Sequence, residues 1–218
     1  MPATIPHPIL CLVTRPVDGA KLRLADIVEQ AVGGGVNLVQ LRDKEQSAFD
    51  MCGQAIELSR AIDGRALLFI NDRIDVALAC GADGVQISER GLATRRAKEK
   101  AGRRLLIGRS VHSAAGAAEA ASAGADLLVL GTIFPTASHP EGPFGGEDLV
   151  RETTERVSIP VVAIGGVKAG NAGTVMIAGA SGVAAISEIM DSPDPRAAAA
   201  RLSEAVNAGL PPGKENGV

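Results

Sequence analysis

One theme recurs four times along the chain: Gly35-Val36-Asn37-Leu38-Val39, Gly81-Ala82-Asp83-Gly84-Val85, Gly124-Ala125-Asp126-Leu127-Leu128 and Gly179-Ala180-Ser181-Gly182-Val183. The first glycines stand 46, 43 and 55 residues apart. Each copy begins with a glycine that can take the left-handed backbone ending a helix, and an apolar run suited to a strand follows at once. A further apolar run lies between successive copies, so the copies precede every second strand. The repeating unit is therefore two β-α modules.

The candidate strands are Ile9–Thr14, Leu38–Arg42, Leu67–Ile70, Gly84–Ile87, Leu105–Ile107, Leu127–Leu130, Val161–Ile164 and Val183–Ile186. Between them, Leu22–Val32 and Phe49–Ile62 carry apolar stripes at helical spacing. Asn171 is placed to cap the helix before Gly179, and the Pro193-Asp194-Pro195 turn to open a last helix, Ala197–Ala208. The run Val161-Val162-Ala163-Ile164 suits a strand covered on both faces, as in a parallel sheet under helices. Crossovers between parallel strands keep one hand, so eight alternating modules close best as a barrel. An open doubly wound sheet is the competing arrangement, but no GxGxxG follows the first strand and the spacing stays regular to the end. The sequence thus predicts an α/β protein with a single-domain (β/α)8 TIM barrel over residues 1–209 and a disordered tail at 210–218.

Composition narrows the function. Aromatic residues make up 2% of the chain, with no Trp or Tyr, which argues against the stacking platforms of single-strand nucleic-acid sites. A net charge of −3 supplies no global basic footprint, so no nucleic-acid partner is expected and any anion must meet a local cluster. Cys11, Cys52 and Cys80 are odd in number and sit in apolar patterns, as reduced core thiols of a cytoplasmic protein do. The N-terminus lacks the pattern of a signal peptide, and no apolar run approaches the roughly 18 residues of a membrane span.

In a barrel, chemistry gathers at the C-terminal ends of the strands. Gln40, Arg42 and Lys44 alternate at the end of the second strand, where the Arg and Lys can neutralise a polyphosphate. Asn71-Asp72 follow the third strand; Asp72 suits Mg²⁺ binding or, equally, capping of the helix Ile74–Ala79. After the fifth strand Ser110 can donate to a ligand and His112 can transfer protons, while Ser113 is placed to cap the next helix. The longest loop, Gly131 to Gly146, carries Thr136, Ser138 and His139 and suits an active-site lid. Gly165-Gly166 and Ile186-Ser187 end the last two strands, and their backbone amides with the Ser187 hydroxyl can cradle a phosphate monoester.

From about Leu12 to Ala208 the chain resembles the thiamine phosphate synthase superfamily. The resemblance rests on Val39-Gln40-Leu41-Arg42-Asp43-Lys44, Ile70-Asn71-Asp72-Arg73, Gly81-Ala82-Asp83-Gly84-Val85, Ile133-Phe134-Pro135-Thr136, Ile159 to Gly166 and Ile186-Ser187. It implies a transferase that joins hydroxymethylpyrimidine diphosphate to thiazole phosphate and releases pyrophosphate, in thiamine biosynthesis. It also implies that Gln40, Arg42, Lys44 and Asn71 hold the pyrimidine diphosphate, that Asp72 binds Mg²⁺ and that Ser110 touches the leaving pyrophosphate. Thr136, Gly166, Ile186 and Ser187 would hold the thiazole phosphate, and relatives often form homodimers.

Two positions depart from the synthase pattern. Gly91 stands where a second magnesium-binding Asp is expected, with Glu89 two residues away, and His139 replaces a lysine expected to contact pyrophosphate. The segment Gly108-Arg109-Ser110-Val111-His112-Ser113 is similar to that of the related thiazole tautomerase, whose acid/base would be His112. A tautomerase, and a non-catalytic binder of thiazole or thiamine phosphates, therefore stand as alternatives.

Overall fold

A computed structural model describes residues 3–17, 22–136 and 141–210. In chain order the elements are β1 (Ile9–Val13), α1 (Leu24–Gly33), β2 (Leu38–Leu41), α2 (Ala48–Ile62), β3 (Leu67–Asn71), α3 (Ile74–Cys80), β4 (Gly84–Ile87) and α4 (Thr94–Ala101). There follow β5 (Leu106–Val111), α5 (Ala114–Ser122), β6 (Leu127–Leu130), α6 (Gly146–Arg156), β7 (Val161–Ile164), α7 (Ala169–Ile177), β8 (Gly182–Ala185), α8 (Ser187–Met190) and α9 (Pro195–Ala208). Each strand pairs in parallel with the next, and β8 closes on β1 through the register Ile9 to Gly182. The predicted single-domain (β/α)8 barrel is the fold. Beyond Leu210 the predicted tail lies outside the described residues.

Strand alternation sorts the apolar residues into two shells. Leu10, Leu12, Val39, Leu41, Ile70 and Val85 face outward onto the helices. Ile9, Cys11, Val13, Leu38, Phe69, Leu106, Leu127, Val129, Val162 and Ala184 fill the barrel interior. The Phe69 ring fits there because its neighbour across the sheet is Gly84, where a Cβ would lie 2.5 Å from the ring. Burial of the Cys11 thiol in this interior raises its pKa far above the ordinary value.

The sequence repeat has a physical role that its spacing alone did not reveal. Its four leading glycines, Gly35, Gly81, Gly124 and Gly179, all have positive φ, as a helix-ending turn requires. The third residue of each copy then reaches across to the preceding odd strand. Asn37 Oδ1 accepts from Leu10 N at 2.9 Å, Asp83 Oδ2 from Leu68 N at 2.8 Å, Asp126 Oδ2 from Ile107 N at 2.7 Å and Ser181 Oγ from Val161 N at 3.3 Å. A polar side chain thus satisfies a backbone donor at the floor of the barrel, once per pair of strands.

Several element ends differ from expectation by a residue or two, and three differences bear on the rim. Strand β5 continues to Val111, because Gly108 through Val111 pair with Leu127 through Leu130 although the segment is not an apolar run. Strand β2 ends at Leu41, so Arg42 and Lys44 lie in the following loop and not on the alternating strand. Asn171 is not the cap residue of α7; it sits three positions after Lys168, whose N–H it accepts at 2.7 Å while donating to the Gly166 carbonyl at 3.0 Å. Asp194 does cap α9, accepting from Ala197 N at 2.9 Å.

Candidate active site

The rim at the strands' C-terminal ends divides into two arcs. On β2 to β5 the side chains are linked by hydrogen bonds. Gln40, buried in the interior of β2, donates from Nε2 to Asn71 Oδ1 at 2.8 Å. Asn71 donates from Nδ2 to Asp72 Oδ2 at 3.0 Å, and Asp72 Oδ1 accepts from Ser88 N at 2.7 Å. Asp72 itself has φ of 57°, a left-handed conformation that Asp adopts more readily than most residues and that turns its carboxylate back over the strand end. The capping alternative for Asp72 fails on this geometry: the residue preceding α3 is Arg73, and no side chain caps that helix.

Arg42 is anchored through its backbone N–H, which donates to Thr14 Oγ1 at 3.0 Å. Among the described residues neither its guanidinium nor the exposed Lys44 ammonium is taken up by an ion pair, so both charges remain available beside Asn71 and Asp72 on the adjoining strand. On β5 the half-buried Ser110 accepts a hydrogen bond from Gln86 Nε2 at 3.0 Å. Gln86 is 2% exposed and belongs to the same polar layer, yet no motif marked it. The signal was present as a long amide in the otherwise apolar strand Gly84-Val85-Gln86-Ile87.

Arg109 points away from the interior and spans to the loop after β4. Its two terminal nitrogens donate to the carbonyls of Leu92 at 2.7 Å and Glu89 at 2.9 Å, fixing the turn that contains Gly91. A Cβ at Gly91 would lie 2.7 Å from Asp72 Oδ1. The position of the expected second carboxylate therefore does face Asp72, and glycine leaves that space clear. Glu89 does not fill it: its carboxylate lies 3.7 Å from His112 Nε2. His112 Nδ1 meets the Gly131 carbonyl, and Ser113 caps α5 by accepting from Gly116 N at 3.1 Å. Among the described residues no group of three or more His, Cys, Asp or Glu forms an all-protein metal cage. One carboxylate suits Mg²⁺, which is commonly held by one or two carboxylates together with substrate phosphates and water.

The second arc lies on β6 to β8. Gly165 and Gly166 have φ of 99° and 63°. They are required sterically as well, since added Cβ atoms would lie 2.5 Å from Thr132 Cγ2 and 2.4 Å from the Pro135 carbonyl. Phe134 N donates to the Gly165 carbonyl at 2.9 Å, so the segment leading to Thr136 packs directly on the tip of β7. Beside it Ile186 introduces α8, a one-turn helix that begins at Ser187. A short extra helix after the eighth strand is a recurrent phosphate site of this fold. Arg15, just past β1, pairs with Asp191 and ties the end of α8 to the first strand. Ser138 and His139 lie outside the described residues. No helix among the described residues is long and apolar enough to cross a membrane.

The family model described as thiamine monophosphate synthase matches residues 10–189. The thiamine-phosphate synthase of Geobacillus kaustophilus is 43% identical over 190 residues, covering 84% of this chain and 86% of its own. That of Natronomonas pharaonis is 41% identical over 204 residues, covering 92% and 95%. Among solved structures, the thiamine phosphate pyrophosphorylase from Pyrococcus furiosus superposes with a TM-score of 0.84 at 37% identity, covering 93% of this chain and 97% of that one. A 3-hexulose-6-phosphate synthase, at 17% identity and a TM-score of 0.70, shares the barrel alone. With its fold and most of its length in agreement, the chain belongs to the thiamine monophosphate synthase family.

Proposed function

We infer that this protein is a thiamine-phosphate synthase, a transferase that joins hydroxymethylpyrimidine diphosphate to thiazole phosphate and releases pyrophosphate. The observation that carries the reading is the bonded chain Gln40, Asn71, Asp72 and Ser88 N–H, with the Arg42 and Lys44 cations, in no ion pair among the described residues, following the adjoining strand. In the reaction the bond between the pyrimidine's exocyclic carbon and the diphosphate oxygen breaks, and the electron pair leaves with the diphosphate. Negative charge grows on that group as the bond lengthens. Arg42 and Lys44 therefore stabilise the transition state more than the bound substrate, which is the condition for catalysis. Gln40 and Asn71, held by each other, present fixed amide groups to the pyrimidine. Ser110 donates to the departing pyrophosphate.

Asp72 would hold Mg²⁺ together with phosphate oxygens and water; bound there, the ion supplies Lewis-acid stabilisation of the leaving charge. The carbocation left behind is delocalised over the pyrimidine ring, and the lone pair of the thiazole nitrogen forms the new C–N bond. Thr136, Gly165, Gly166, Ile186 and Ser187 fix the thiazole through its phosphate; Ser138 is assigned to substrate binding by sequence, and His139 stands at the position of a lysine that contacts pyrophosphate. The purified protein is expected to make thiamine phosphate from both substrates and Mg²⁺. Product no greater than in a no-enzyme control would sink the assignment.

One observation favours a second reading, isomerisation of a thiazole phosphate carboxylate. His112 Nδ1 faces the Gly131 carbonyl, which leaves Nε2, near Glu89, as the proton-transferring nitrogen. Isomerisation that is unchanged in His112→Ala would remove His112 from that chemistry.

A further inference from the structure

Gln86 is enclosed in the barrel at 2% exposure, and an amide in such surroundings is costly unless it is bonded. The space for it is made by Gly108 on the neighbouring strand, where a Cβ would lie 2.0 Å from Gln86 Oε1. Held in that slot, the amide donates from Nε2 to Ser110 Oγ at 3.0 Å. A serine hydroxyl has two acceptor positions and a single hydrogen to give. With an amide hydrogen already occupying one acceptor position, the hydroxyl's own hydrogen is turned away from Gln86. Ser110 is half-buried at the rim, so its hydrogen is left for an acceptor other than Gln86.

We propose that Gln86 is a positioning residue that fixes Ser110 as a hydrogen-bond donor toward the leaving diphosphate. The proposal rests on the reading in which Ser110 touches that group. Gln86 itself touches no substrate; it acts by deciding which way the serine hydrogen points. Gln86→Met keeps the length and apolar bulk of the side chain but removes the donor, so Ser110 is no longer aligned. A neutral hydrogen bond of this kind corresponds to a change of about three- to tenfold.

The test is a double-mutant cycle between Gln86→Met and Ser110→Ala, read by the KM of each substrate and by calorimetric binding of inorganic pyrophosphate with Mg²⁺. Gln86→Met is expected to raise the KM for the pyrimidine diphosphate and to weaken pyrophosphate by about three- to tenfold, with the KM for thiazole phosphate within about twofold. Added to Ser110→Ala, it is expected to cost nothing more. The same penalty in both backgrounds, or an equal rise in both KM values, would show that Gln86 only supports the fold and would overturn the proposal. If Ser110→Ala weakens pyrophosphate and Gln86→Met does not, the proposal alone falls. If Ser110→Ala changes nothing, the reading of Ser110 falls and takes the proposal with it. Should Gln86→Met not fold, Gln86→Glu enters the same cycle: its carboxylate draws the serine hydrogen inward, and a penalty no smaller in the Ser110→Ala background overturns the proposal equally.

Discussion

At Gly91 a Cβ would lie 2.7 Å from Asp72 Oδ1, 2.9 Å from Ile87 Cγ2 and 3.0 Å from the Ser88 carbonyl. An aspartate introduced there must press its carboxylate toward that of Asp72. Without a cation, two carboxylates in contact repel and one of them is driven toward protonation. With Mg²⁺ between them the same pair becomes a better ligand. Gly91→Asp is therefore expected to lower the melting temperature in chelator, to raise it more steeply with added Mg²⁺ than in the wild type, and to lower the Mg²⁺ concentration for half-maximal activity. Thermal melts across a Mg²⁺ titration, together with initial rates, check all three. Asp72→Asn, whose one amide oxygen can keep the Ser88 bond while its NH2 meets the Asn71 donor, removes the charge and should cost on the order of 100-fold in kcat/KM while leaving the melting temperature within a few degrees. A variant of full activity would show that the cation is held elsewhere.

The strand pairs are joined at the floor by side chains of unequal strength. Asp126 accepts from Ile107 N at 2.7 Å and also meets Lys98 Nζ at 2.6 Å, whereas Ser181 accepts from Val161 N at 3.3 Å. Removing Asp126 leaves a strand-end donor unpaired, and Asp126→Ala should cost about 1–3 kcal/mol. The Lys98 partner is partly exposed and adds little. Ser181→Ala should cost well under about 1 kcal/mol, and urea unfolding of the two variants reads the order directly. At this scale the repeat was visible in the sequence as a pattern of glycines and short polar residues, but its purpose was not. A sequence shows that Asn37, Asp83, Asp126 and Ser181 recur; only the closed barrel shows each facing the first amides of another strand. Likewise β5 was read too short, because Gly108-Arg109-Ser110 has no apolar signature and is held as a strand by its pairing with β6.

For the molecule as a whole, the order of apolar runs was enough to specify the barrel, since strands buried on both faces cannot be arranged in many ways once eight of them alternate with helices. The site was half legible. Gln40, Asn71 and Asp72, each singled out by its motif, form one bonded chain that no motif foretold, while Gln86 was hidden by its apolar neighbours and Glu89 turned to His112 instead of toward Asp72. Global stability should also carry an acid-side signature. The Arg23 side chain bonds Asp26 at the start of α1, and the Arg73 side chain bonds Asp75 at the start of α3, each holding the carboxylate below its usual range. Stability from these pairs is fully present above the unfolded carboxylate value of about 3.9 and is lost as pH falls through the lower folded values. Melting temperatures measured from pH ~7 down to ~2 should fall below about pH 4, and less steeply in the double variant Asp26→Asn/Asp75→Asn. Finally, each of the four side-chain bonds at the floor joins β1 to β2, β3 to β4, β5 to β6 or β7 to β8, while among the described residues only backbone bonds bridge one pair to the next at that level. The barrel is in this respect an assembly of four quarters with natural seams. A circularly permuted chain opened between α2 and β3 would keep every quarter whole, whereas one opened between α3 and β4 would divide the Asp83 bond between its two ends.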